Sequence, residues 1–242
     1  MGRTKYANQQ LSAIIAGART RIPMSPLKTD PIDNQHKMLI EKAYSPLPRD
    51  QQEKIIEGIF GILEAARDRK NTLKTILEQV AKTTFRLFEF DEIGIGLKNR
   101  KDGLYRYEVL FGYRNEIVDD FKKIAYTYED MVSYDRFPFI KTGKYSDLNP
   151  VEGLPKEEQH LFNRQYDLQE KRELPDEFHE GDYVDFWMYG YNKEIIGWIE
   201  LASPRNRKLP PRSTVRWIEL IACICSSIVM RKWAEEDLVR KE

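Results

Sequence analysis

The change of hydrophobic rhythm between Tyr183 and Met230 constrains this chain more than any other feature. Tyr183-Val184-Asp185-Phe186-Trp187-Met188-Tyr189-Gly190-Tyr191 has the aromatic and β-branched content of a strand, Asn192-Lys193 reads as a tight turn, and Glu194 to Ala202 as the returning strand. Ser203-Pro204-Arg205-Asn206-Arg207-Lys208-Leu209-Pro210-Pro211 then carries too much proline and charge to continue a sheet. Beyond it, Ile218, Ile221, Cys225 and Ile228 recur at helical spacing, and Leu220, Ile224 and Val229 widen the stripe. The order is hairpin, loop, long helix.

Upstream, Arg49 to Arg69 sets Ile55, Ile56, Ile59, Phe60, Ile62 and Leu63 on an amphipathic helix. Asn71-Thr72 offers an N-cap to a second helical run through Leu73, Ile76, Leu77, Val80, Ala81, Thr84 and Leu87. Ile93, Ile95 and Leu97 alternate with Gly94 and Gly96, which predicts a strand with one bare face. A turn-rich link, Asn99 to Gly103, joins it to a second strand, Leu104 to Phe111, so an antiparallel sheet emerges. Asn115 to Ile124 reads as a short helix, Tyr126 to Met131 and Phe139 to Tyr145 as short strands or irregular segments, and Lys156 to Gln169 as a surface helix.

Two stretches depart from this pattern. Residues 1–48 form an arm broken by Pro23, Pro26, Pro31, Pro46 and Pro48, whose first 29 residues hold Arg3, Lys5, Arg19, Arg21 and Lys28 and no acid. Residues 146–182 are acidic and weakly patterned, as expected of a loop or insertion within a domain spanning 49–242. Charge sums to zero, charged residues make up 32% and no run of 18 apolar residues occurs, so the expectation is a soluble chain without a membrane span. Cys223 and Cys225, two apart on a helix, point away from each other and do not bridge, which places the chain in a reducing cytoplasm. The basic arm lacks the aromatic interleaving that nucleic-acid binding favours.

The wording Ile196-Gly197-Trp198-Ile199-Glu200-Leu201-Ala202-Ser203-Pro204, followed by Trp217-Ile218-Glu219-Leu220-Ile221-Ala222, resembles the end of a GAF domain. The resemblance implies an α+β fold: a central antiparallel sheet, N- and C-terminal helices on one face, and loops and short helices over the other. It also implies a sensory or regulatory role rather than catalysis, with the last helix pairing across a homodimer through Ile218, Ile221 and Ile228 and signalling through a protein partner. One GAF branch reduces free methionine sulfoxide with loop and strand cysteines, which the two helical cysteines do not match. Another attaches a bilin through a cysteine that often precedes a histidine, and no such pair occurs here.

His36, His160 and His179 are scattered, with no spacing that would hold a metal. Aromatic wealth on strands is what is left. Across a two-residue turn Trp187 falls opposite Trp198, so Trp187, Tyr189 and Trp198 share a face with Asp185 and Glu200, while Val184, Phe186, Met188, Ile195, Gly197, Ile199 and Leu201 take the helix-facing side. Gly94 and Gly96 leave room beside the aromatic set, and Tyr105 or Tyr107 closes it, making a candidate surface for a small ligand. Two outcomes are open: a ligand pocket, or aromatics that fill the space themselves in an assembly factor docking by its arm.

Overall fold

The computed structural model describes residues 51–153, 174 and 176–240. All belong to the second of two units, Arg49–Glu242. The expected arm, His36, His160 and the helix expected at Lys156–Gln169 lie outside the described residues.

Helix α1 (Gln51–Arg67) and helix α2 (Leu73–Phe88) are separate elements. The break follows from the cap: Thr72 stands in extended conformation and its hydroxyl accepts from the Thr75 amide at 3.1 Å, starting α2 afresh. Strands β1 (Phe90–Lys98) and β2 (Tyr105–Phe111) follow as the anticipated hairpin. Helix α3 (Asn115–Lys123) matches expectation, but Tyr128–Val132 is a one-turn helix, α4, rather than a short strand or irregular segment. A capping box explains it: the Thr127 hydroxyl accepts from the Asp130 amide while the Asp130 carboxylate accepts from the Thr127 amide.

Strand β3 (Ile140–Lys141) leads into β4 (Ser146–Asn149), β5 (Tyr183–Tyr189) and β6 (Ile195–Pro204), and the chain closes with helix α5 (Arg212–Val239). The six strands form one antiparallel sheet in the order β2-β1-β6-β5-β4-β3. Ser146–Asn149 therefore belongs to the sheet and corrects the reading of residues 146–182 as loop throughout. Glu219 of α5 secures it, accepting at Oε1 from the Tyr145 amide at 2.6 Å and the Ser146 hydroxyl at 3.1 Å.

Helices α2 and α5 cover one face of the sheet, and α1 packs against both. Ile93, Ile95, Leu97, Val184, Phe186, Met188, Ile199 and Leu201 meet Ile76, Leu77, Val80, Ile218, Ile221 and Val229 in this core. Ile218, Ile221 and Ile228 are 0%, 0% and 5% exposed, so the residues assigned to a dimer seam are core residues, and the outward positions of α5 include Arg216, Leu220, Cys223 and Ser227. The stripe is broad because α5 faces the sheet and α1 and α2 together. By length and composition α5 is also apolar enough to cross a membrane, but Ile218, Ile221, Ala222, Cys225, Ile228 and Val229 are engaged in this core.

The β5–β6 turn differs by one residue from expectation. Gly190 bonds Glu194, leaving a three-residue loop, Tyr191-Asn192-Lys193, with Lys193 in the left-handed region at φ 62°. A register shift beside Tyr189 absorbs the extra residue, pairing Tyr189 with Ile195. That slip turns Ile195 to the aromatic face and Ile196 to the helix face, correcting the placement of Ile195.

Candidate functional site

The face away from α2 and α5 carries the candidate residues. Trp187 pairs with Trp198 and Asp185 with Glu200, as the hairpin pattern predicts, and Asp147 of β4 pairs with Asp185 on the far side. Asp147, Asp185 and Glu200 thus form a row across three neighbouring strands, and they are 3%, 7% and 2% exposed. Gly94 of β1 continues the row beside Glu200.

Hydrogen bonds fix this row unevenly. The Tyr107 and Tyr113 hydroxyls donate to Glu200 Oε2 and Oε1, each at 2.6 Å. Trp187 Nε1 donates to Asp147 Oδ2 at 2.7 Å, and Lys141 Nζ lies 2.8 Å from Asp147 Oδ1. Asn149 Nδ2 donates to Asp185 Oδ2 at 3.0 Å. Asp185 Oδ1 is buried with no hydrogen-bond partner. A carboxylate oxygen in that state is costly and calls for a proton, a water or a donor from outside the chain.

The protonation states follow from burial. Loss of water pushes the Glu200 carboxyl up to about 7, although the two tyrosine hydroxyls pull it down, and Glu92 adds repulsion. Asp185 is raised well above the ordinary carboxylate range, first by burial and then by Glu200 and Asp147, with the Asn149 amide opposing. The Tyr107 and Tyr113 phenols are also raised well above their usual value, by burial and then by Glu200. Burial likewise pushes Tyr105 up to about 12, and its hydroxyl donates to the Ile195 carbonyl at 2.8 Å.

The room expected beside the glycines is taken. A Cβ on Gly96 would lie 2.0 Å from Trp198 Cη2, so the indole occupies the strand's bare face, while the Tyr107 ring and the Tyr113 hydroxyl crowd Gly94. Tyr107 meets Trp198 edge-on at 5.1 Å, and Tyr126 reaches the same indole at 6.3 Å. What is left is a cavity of about 40 Å³ bounded by Tyr107, Tyr126, Phe137, Asp185, Trp187, Trp198 and Glu200, among others. It has space for a few waters or a very small ligand, far below the ~300 Å³ typical of drug-sized pockets.

The predicted set therefore divides. Asp185, Trp187, Trp198, Glu200 and Tyr107 line the cavity; Tyr105 is buried and absent from its wall; Tyr189 opens instead on a surface groove of about 600 Å³ that it shares with Trp187, Tyr145 and Cys223. Asp147, Asn149, Tyr113, Tyr126 and Phe137 are additional members. Asp147 and Asn149 were obscured because β4 has four residues, too few for a strand pattern, whereas the segment Tyr126–Phe139 reaches the site only through tertiary packing. Cys225 is buried with its thiol pushed up to about 12, and Cys223, on the groove, is raised too, both chiefly by desolvation; neither lines the cavity. Among the described residues no group of His, Cys, Asp and Glu is arranged to hold a metal.

The chain has a GAF-like α+β fold. It superposes on the GAF domain/HD domain protein from Geobacter sulfurreducens with a TM-score of 0.50 at 10% identity, over 72% of this chain and 98% of that one. For the GAF domain of an Acinetobacter phosphoenolpyruvate-protein phosphotransferase the values are 0.49 and 8%, over 79% and 99%. No family model and no curated protein matches the sequence. At this identity the likeness concerns the fold, and function rests on the site.

Proposed function

We propose that this chain is a non-enzymatic regulatory or sensory module of the cytoplasm that binds a small ligand on its aromatic and acidic face and acts through a protein partner. The observation that carries the reading is Asp185 Oδ1, a buried carboxylate oxygen without a partner on a residue that lines an aromatic-walled cavity. The chemistry nearby suits holding rather than turnover. Glu200 is clamped by two tyrosines and Asp147 by Trp187 and Lys141, which leaves neither free to swing toward a substrate. A thermal-shift screen of small cations, anions and neutral compounds tests the reading, since a ligand of the folded state raises the midpoint by mass action. The expected result is a rise in one chemical class that Trp187→Ala abolishes. Turnover of a small molecule by the purified protein would overturn the non-enzymatic part.

A second reading is favoured by Trp198 packed into the Gly96 face: an assembly factor whose sheet face is filled. It requires the arm, so deletion of residues 1–48 should abolish capture of the main partner. Under the ligand-binding reading capture survives the deletion and responds to Trp187→Ala.

A further inference from the structure

The small cavity against Trp198 has a composition that selects a charge. Its rings include Trp187, Trp198, Tyr126 and Phe137, its carboxylates are Asp185 and Glu200, and no lysine, arginine or histidine lines it. Three donors of the wall are engaged: Tyr107 Oη with Glu200, Trp187 Nε1 with Asp147 and Asn149 Nδ2 with Asp185 Oδ2. The buried atom of this wall without a hydrogen-bond partner is an acceptor, Asp185 Oδ1, on a residue 7% exposed. Aromatic faces present negative potential and attract cations at short range. A cation at Asp185 Oδ1 would take the place of the proton that burial and Glu200 keep on that carboxyl, so the rings and the acid favour the same ligand charge.

We propose that this cavity holds the ammonium head of a small organic amine, with Asp185 as its counter-ion and the rings of Trp187, Trp198, Tyr126 and Phe137 around its carbon atoms. The proposal rests on the ligand-binding reading above and narrows it to cations. At about 40 Å³ the space suits an ammonium group with one or two carbons. A calcium ion would require six to eight oxygen ligands, whereas these walls are mostly rings. An anion would meet two acidic side chains with no basic side chain in the wall, and would oppose the ionisation of both.

Saturation-transfer NMR on the full chain with methylammonium chloride tests this, with potassium chloride and methanol as charge and shape controls. Transfer to the methyl group is expected, displaced by ethylammonium and unaffected by potassium or methanol. Asp185→Asn, which keeps an acceptor for Asn149, should weaken binding at least tenfold. Phe137→Leu, which leaves the carboxylates in place, should weaken it severalfold and covers the case in which the first variant does not fold. No transfer at about 50 mM would overturn the proposal, because two non-hydrogen atoms support at best a dissociation constant of roughly 10 mM. Equal transfer to methanol, displacement by potassium, or undiminished binding by folded Asp185→Asn would do the same. A neutral or anionic compound that binds while ammonium is silent overturns the cation but keeps the ligand-binding reading. Silence from all three classes overturns both.

Discussion

Replacing Glu200 by glutamine should change how stability depends on pH. Glu200 is 2% exposed and faces Tyr107 on β2, Tyr113 beyond it, Glu92 on β1 and Asp185 on β5. Its carboxyl sits near 7 in the folded chain against 4.5 ordinarily. In the window between those values the folded state keeps a proton that the unfolded state releases, so stability falls as pH rises. The stabilisation is complete below about 4.5 and gone above about 7, a loss on the order of 3 kcal/mol at 1.36 kcal/mol per unit. Glutamine does not ionise, and it also removes the charge that helps raise Asp185. One tyrosine hydroxyl would still donate to its oxygen and the other would accept from its amide, so near pH 5 the two proteins should agree within about 1 kcal/mol. Urea denaturation at a series of pH values from about 5 to 8.5, fitted with a common m-value, reads the difference. The variant should have a flatter profile and exceed the parent at the alkaline end. Parallel profiles would refute the buried, proton-holding Glu200.

Other consequences follow from the same packing. Gly96→Ala forces a methyl into the Trp198 indole and should cost ~1–3 kcal/mol or more in urea denaturation; a change under about 0.5 kcal/mol would contradict the filled face. Trp187→Phe leaves Asp147 Oδ2 with Lys141 Nζ as its remaining donor and should cost about 1 kcal/mol, read by the same titration. Ile221→Ala should cost ~2–5 kcal/mol while sedimentation velocity shows the same oligomeric state as the parent, since the residue is core and not seam. Ellman's reagent should titrate Cys223 in the native chain and Cys225 only after unfolding; prompt reaction of both would place α5 wrongly.

Much of the frame was legible because it depends on local periodicity. Two-residue alternation placed Ile93, Ile95 and Leu97 opposite Gly94 and Gly96, and the hairpin placed Trp187 opposite Trp198 and Asp185 opposite Glu200. The 3.6-residue stripe found α5, and Thr72 marked the start of α2. Where a single residue of register mattered, pattern was insufficient. The three-residue loop ending in Lys193 moved Ile195 to the other face, and nothing in Glu194-Ile195-Ile196 distinguishes the two apolar neighbours.

By itself, the sequence determined which residues share a face, and hence that two tryptophans and two acids would stand together on an antiparallel sheet. Tertiary structure decided how much space that face retains and which atoms are satisfied. Asp147 and Asn149 arrive from a four-residue strand, Tyr126 and Phe137 from beyond α3, and Trp198 turns its ring onto Gly96. Periodicity states a side chain's direction, whereas a cavity and an unpaired oxygen are what remain after every neighbour has been packed, and that remainder is a property of the whole three-dimensional arrangement.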